Sequence, residues 1–314
     1  MLYSSICGKE EYKYATKKLK EIAELWKEDK KKYVKKSTYA AYVLLIQNHI
    51  VPTFGDDLIV KEEKVQEFVL EKLQSGLSEK TVKDILIVLK MILKYGDKNG
   101  FTEYKQIDIL FPTTTTKKEL DVLTKSDQKK VMNYLRENFT FRNLGIFICL
   151  NTGMRIGEIC GLKWENVDTD LGVIHVRKTL QRIYILDEGE KHTELLLDTP
   201  KTANSIRDIP MSNELLKVLK PIKKVVNDDF FVLSNDAKPI EPRTYRNYYN
   251  KLLKELDIDE LKFHGLRHSF ATRCIESNSD YKTVSVLLGH SNISTTLNLY
   301  VHPNHEQKKK VTAK

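Results

Sequence analysis

The sequence predicts a mainly α-helical chain with a small antiparallel sheet, divided into two domains. Three observations carry this expectation. Apolar residues repeat at helical spacing through four segments before residue 100, the pattern breaks over residues 103–121, and a strand-like alternation occupies residues 172–210. At 314 residues the chain is long enough for two separate cores. Lys and Arg outnumber Asp and Glu by 52 to 43, and the excess is spread along the chain. Such a surface suits nucleic acid, an anionic membrane face or acidic proteins, and suits a merely solvated exterior equally well. Cys7, Cys149, Cys160 and Cys274 form no CxxC pair and read as reduced thiols. No apolar run reaches membrane-spanning length, and the N-terminus lacks the apolar stretch of a signal peptide. A soluble cytoplasmic protein with no membrane partner is expected.

The first domain is predicted over residues 1–111, with a loose lead-in over 1–12. From about Thr16, Leu19, Ile22, Ala23 and Trp26 mark one helical face, followed by a lysine cluster at Lys30–Lys32, Lys35 and Lys36. Ser37 offers an N-cap for a second helix through Tyr42, Leu45, Ile46 and His49, which Pro52 and Gly55 should end. A third helix carries Val65, Phe68, Val69 and Leu73 to Gly76. Ser78 caps a fourth through Val82, Ile85, Leu86, Leu89 and Leu93, closed by Gly96. This is either a plain bundle with a wet Lys/Glu surface or a clamp whose lysines meet phosphates on one side of a duplex. Pro112, four threonines, Lys117 and Lys118 then make an extended linker, placed at 112–121, with little to bury.

The second domain, predicted over 122–314, opens with Thr124 as N-cap of a helix to about Asn138 and an apolar helix through Leu144 to Leu150. Arg155 follows a Thr-Gly turn at the start of the next helix, and Glu158, three residues on, shares its face and can orient the guanidinium. Residues 173–176, 183–186, 195–197 and 206–209 alternate as strands. Between the last two lies Lys201, beside a proline and before a turn, where most lysines are simply solvated. Helices at about 213–219 and from Pro242 through Leu256 follow, with a short strand at 230–233 between them; Arg243, Arg246, Tyr248 and Lys251 lie on the polar side of the second helix. His264 and Arg267 share a helix face. Asn278 suits a left-handed turn, and a helix from about Asp280 stops at Gly289 before His290. Tyr300 sits on a short final helical run. A cation that grips phosphate, imidazoles that move protons and a phenol that can attack are suited to breaking a phosphodiester without a metal. His268 makes a possible metal pair with His264, but no carboxylate or cysteine stands at zinc-protease spacing. His302 and His305 read as exposed.

HGLRHSFAT, LLGHSNISTT and YVH resemble the tyrosine recombinase family, the integrases of phages and conjugative transposons. TGMRIGEICGLKW is similar to its first catalytic arginine box and PKTANSIRDIP to the context of its hairpin lysine, with Lys191 as the alternative to Lys201. STYAAYVLLIQNHIVPTFGD and GLSEKTVKDILIVLKMILKYGDKNG look like its helical core-binding domain. The resemblance implies a helical core DNA-binding domain followed by a mixed α/β catalytic domain. It implies that Arg155 and Arg267 hold the non-bridging phosphate oxygens, where planar forks of fixed charge act best on the transition state. A tyrosine's ordinary pKa near ~10 means Tyr300 needs help to attack. His264 is the implied base, His290 a donor to the phosphate and Lys201 the general acid. Expected with these are a 3′-phosphotyrosine intermediate, no cofactor and no metal. Also expected are specific attachment sites in double-stranded DNA, a homo-tetramer exchanging the C-terminal tail 301–314, and accessory directionality or DNA-bending proteins. Many integrases carry an N-terminal arm-site domain, and none is visible, which leaves a trimmed chain or a simple enzyme. The alternatives are a type IB topoisomerase-like enzyme and a catalytically silent DNA-binding protein.

Overall fold

The computed structural model describes residues 16–112, 121–187, 190–200 and 202–300. The lead-in 1–12, most of the linker, Lys201, the side chains of Lys191 and Tyr300, and the tail 301–314 lie outside the described residues. Two units are distinguished, one over Met1–Thr116 with Ile183–Glu194, the other over Lys117–Arg182 with Leu195–Lys314.

In the first unit, helix α1 (Leu19–Lys31) buries Leu19, Ile22, Ala23 and Trp26, the face set by the helical period. Helix α2 (Lys36–Leu45) begins two residues before a Ser37 cap would allow, and the Ser37 hydroxyl is buried without a hydrogen-bond partner among the described residues. The helix also runs on past Pro52. A π turn over Ile46–Ile50 lets the Val51 N–H bond the Ile46 carbonyl, and α3 (Val51–Phe54) then ends at Gly55. The wider turn relieves the clash a proline makes with the carbonyl four residues back, so Phe54 reaches the core and meets Phe68 edge-on. Helix α4 (Glu62–Gln74) supplies Val65, Phe68 and Val69 to the core. Helix α5 (Glu79–Lys98) is capped by Ser78, whose hydroxyl accepts from the Thr81 N–H. Gly96 does not close it. A Cβ there would lie 2.8 Å from Thr102 Cγ2 and 3.2 Å from Ile22, so this glycine permits close approach inside the helix. Residues 103–112 are irregular, as expected, yet not unburied: Ile107 is in the core and the Lys90 ammonium donates to its carbonyl.

The second unit is built around α7 (Phe141–Thr152), buried on nearly every side, after α6 (Lys125–Glu137) with Thr124 as its cap. Gly153, left-handed at φ 65°, turns the chain into the short helix α8 (Ile156–Cys160). The expected single sheet is two. Strands β1 (Val167–Asp168), β2 (Val173–Val176) and β5 (Arg207–Pro210) form one antiparallel sheet, with Ile174 opposite Ile209 and Val176 opposite Arg207. Strands β3 (Thr179–Asp187) and β4 (Glu190–Asp198), which run from the second unit into the Ile183–Glu194 segment of the first, form a separate two-stranded sheet. Helix α9 (Asn213–Lys223) follows. Residues 230–233 make no strand, since Phe231 only bridges Lys163 and Asp236. Helix α10 (Pro242–Glu255) buries Tyr245, Tyr249, Leu252 and Leu253, and α11 (His264–Glu276) packs on α7. Asn278 is left-handed at φ 60°, as the sequence predicts. Helices α12 (Tyr281–Leu288) and α13 (Ile293–Tyr300) close the described chain.

Candidate active site

The end of α12 is the centre of the site. A helix leaves its last four carbonyls without partners in the helix and carries partial negative charge there. In α12 each is accounted for. Gly289 turns left-handed at φ 65°, so the His290 N–H bonds the Ser285 carbonyl and the Gly289 N–H bonds Val286, the hydrogen-bond pattern of a Schellman turn. The carbonyls of Leu287, Leu288 and Gly289 each receive a different guanidinium. Arg207 Nε donates to Leu287 at 2.6 Å, Arg267 to Leu288 at 2.6 Å and Arg155 to Gly289 at 3.2 Å. A side chain at position 289 would meet the Asn204 carbonyl at 2.8 Å and Arg207 Cδ at 3.1 Å, so only glycine fits beneath this clasp.

Arg267 is 2% exposed and also donates to the Gly153 carbonyl at 2.9 Å, tying the turn after α7 to the end of α12. Arg155 stands at the extended residue before α8, one-third exposed. Its backbone N–H and its guanidinium both donate to Glu158, at 2.9 and 2.8 Å. Glu158 is buried, and burial alone would push its carboxyl up. Arg207 and Arg155 more than offset this and hold it below the ordinary carboxylate range. Removing one partner of such a buried pair costs about 3–5 kcal/mol, because the other charge is left stranded.

His264, the first residue of α11, meets His268 edge-on at 4.7 Å between ring centres. His290 bonds the buried hydroxyl of Thr296 through Nδ1 at 2.8 Å, which leaves Nε2 as the ring nitrogen for a substrate oxygen. Lost hydration comes first among the causes that hold both imidazoles down to about 4; His268, Arg267 and Arg155 add to it for His264, and Arg267, Arg155 and His264 for His290. Both rings are therefore neutral at pH 7 and able to accept a proton. The unfolded chain takes up protons on them near pH 6.5, the folded chain only near 4, so their contribution to stability is present above 6.5 and lost as pH falls towards 4. Melting temperature in the absence of ligand is expected to fall between pH 7 and 5, and His290→Asn is expected to flatten that slope.

Two clefts open from Arg155. One, of about 420 Å³, is lined by Arg155, Thr179, Pro200, Thr202 and His290. The other, of about 610 Å³, adds Arg182, Arg243, Arg246 and His264. Three of the sequence-predicted residues, Arg155, Arg267 and His290, thus meet around one helix end, and His264 lines a cleft with Arg155. Lys201 and the Tyr300 side chain lie outside the described residues, although Pro200 and Thr202 line the cleft and the backbone of residue 300 ends α13. Sequence reasoning passed over Arg207. Its signal was the strand alternation that puts position 207 on the buried face with Ile209. No cluster of potential metal ligands occurs among the described residues, and no helix among them is long and apolar enough to cross a membrane.

A family model described as the phage integrase family matches residues 121–307, and one described as a phage integrase N-terminal SAM-like domain matches 18–59. A tyrosine recombinase XerC-like protein of Caldanaerobacter subterraneus subsp. tengcongensis is 31% identical over 273 residues, covering 80% of this chain and 69% of that protein. The ICEBs1 integrase of Bacillus subtilis is 24% identical over 289 residues, 87% of this chain and 76% of its own. Among solved structures, the Tn1549 transposon integrase in complex with transposon right-end DNA shares the fold, with a TM-score of 0.77 at 22% identity, over 94% of this chain and 98% of that one.

Proposed function

We propose that in this chain, which belongs to the phage integrase family and is a tyrosine-type site-specific recombinase that cuts and rejoins DNA, Tyr300 is the nucleophile and Arg155 and Arg267 hold the scissile phosphate. The phenol oxygen of Tyr300 attacks phosphorus while His264 takes its proton. Arg155 and Arg267 stabilise the charge gathering on the non-bridging oxygens, and His290 donates to one of them. Lys201 gives a proton to the departing 5′ oxygen. The product is a 3′-phosphotyrosyl ester, which conserves the bond, so a 5′-hydroxyl from another strand can reverse the attack without a cofactor.

The observation that carries this reading is the convergence of three arginines on the end of α12 that presents the neutral His290, beside clefts open to a substrate, one of them lined by the neutral His264. A phosphodiester needs that combination, because its own charge repels a nucleophile and its leaving group is poor. Support for Lys201 comes from its neighbours Pro200 and Thr202, which line the same cleft as Arg155 and His290. The helical unit, with Lys31, Lys32 and Lys36 exposed, serves in this reading as a clamp on the duplex. Four protomers assemble on two attachment sites, each passing its residues 301–314 to a neighbour, with accessory DNA-bending or directionality proteins setting the outcome in an integrating and excising element.

Covalent capture tests the reading. The protein is incubated with fragmented DNA of the host and its element, denatured, and the DNA that stays attached is sequenced. One short sequence should be enriched far above background. Uniform recovery across the genome, with relaxation of plasmids lacking that sequence, would instead indicate a topoisomerase.

A further inference from the structure

We propose that Arg207 is a positioning residue for strand cleavage, holding Glu158 and the end of α12 so that the Arg155 guanidinium remains available to the scissile phosphate. The inference rests on the reading of the site given above and extends it to a residue outside the predicted set. All three nitrogens of the Arg207 guanidinium are engaged within the protein, Nε by the Leu287 carbonyl, one terminal nitrogen by Glu158 and the Ser205 carbonyl and the other by Glu158, whereas Arg155 lines both clefts. It acts through what it holds.

Glu158 is shared evenly. Its Oε1 accepts from Arg155 at 2.8 Å and from Arg207 at 3.0 Å, and its Oε2 accepts from the Arg155 backbone N–H at 2.9 Å and from Arg207 at 2.9 Å. With a single arginine, a buried carboxylate would claim that guanidinium as its own counter-ion, and an incoming phosphate would have to compete with it. The second guanidinium compensates the carboxylate from the other side. Glu158 then orients Arg155 without cancelling its charge, and the trio of two arginines and one glutamate stays net positive. Arg207 also donates to the Leu287 carbonyl at 2.6 Å and to the Ser205 carbonyl at 3.1 Å. One side chain therefore ties the α8 start that presents Arg155, the α12 end that presents His290, and the turn that follows position 201.

The test uses a nicked duplex of the captured sequence and single-turnover formation of the covalent protein–DNA product, with duplex binding and melting measured alongside. Arg207→Ala should bind DNA nearly as well as the unaltered chain but cleave about tenfold to a hundredfold more slowly, the usual range for losing a group that orients a reacting one. Glu158→Gln should slow the unaltered enzyme yet speed the Arg207→Ala variant, because there it removes an uncompensated carboxylate. Arg207→Lys restores the compensating charge, so it should recover most of the lost rate; it also serves the comparison if the alanine variant does not fold. Simply additive losses from Arg207→Ala and Glu158→Gln, equal rates for lysine and alanine at 207, or an unchanged rate in folded Arg207→Ala would each overturn the inference. The unaltered chain and Tyr300→Phe are run beside them. No adduct from the unaltered chain, or equal adduct from Tyr300→Phe, would reject the reading of the site itself, a different failure from the ones just named.

Discussion

Tyr300→Phe is expected to bind its duplex as the unaltered chain does and to form no covalent product, a loss of about 10⁴-fold or more, as when other enzymes lose their nucleophile. The variant removes one oxygen, and no other group in the proposed chemistry can form the ester. The backbone gives this prediction its basis. Thr296, buried in α13, holds the His290 ring, and the backbone of position 300 lies four residues further along the same helix. Gel retardation reports binding and a denaturing gel reports the adduct, so the two outcomes are read separately. An adduct of undiminished yield from Tyr300→Phe would remove the nucleophile from the account.

The two arginines proposed to hold the phosphate are expected to fail in different ways. Arg155→Ala should cut the rate of adduct formation by about 10²–10³-fold, the effect of removing one preorganised donor from a developing oxyanion. Its stability should change less, because the side chain is one-third exposed and Arg207 still pairs with Glu158. Arg155→Lys keeps the charge and loses the planar fork, so it should recover only part of the rate. Arg267→Ala should lose both activity and stability. It strips two buried carbonyls, Gly153 and Leu288, of their donor, at about 1–3 kcal/mol for each group left unsatisfied, and leaves a cavity besides. Denaturant unfolding and single-turnover cleavage, measured on the same preparations, separate the two cases. Equal destabilisation by both alanine variants would contradict the division of roles.

Much of this was legible in the sequence where local physics decides. Thr124 and Ser78 cap the helices their side chains predict, and Gly289 stops α12 because its left-handed turn suits glycine best. Arg155 and Glu158 pair as a three-residue helical spacing requires. The misses came where tertiary context overrode a local rule. Pro52 would end an ordinary helix, but the π turn before it displaces the carbonyl that the ring would strike. Gly96 reads as a stop and is instead the place where α5 must come close to Ile22 and Thr102. The alternating segments do not reveal that they divide between two sheets, because alternation fixes the faces of a strand and not its neighbours. Arg207 was passed over for a related reason. An arginine in an alternating strand looks like an outward residue, and only the buried carboxylate of Glu158, 49 positions away in the chain, makes its inward placement favourable.

The most direct test of the central claim is to find which atom of the protein carries the DNA. Covalent product from a nicked duplex labelled separately at each end is digested with protease and nuclease, and the modified peptide is identified by mass spectrometry. The account predicts a single phosphorylated peptide, with Tyr300 esterified to the 3′ phosphate of the cleaved strand and a free 5′-hydroxyl on the other fragment. A phosphoryl group on any other residue, or a 5′-phosphate linkage, would contradict it.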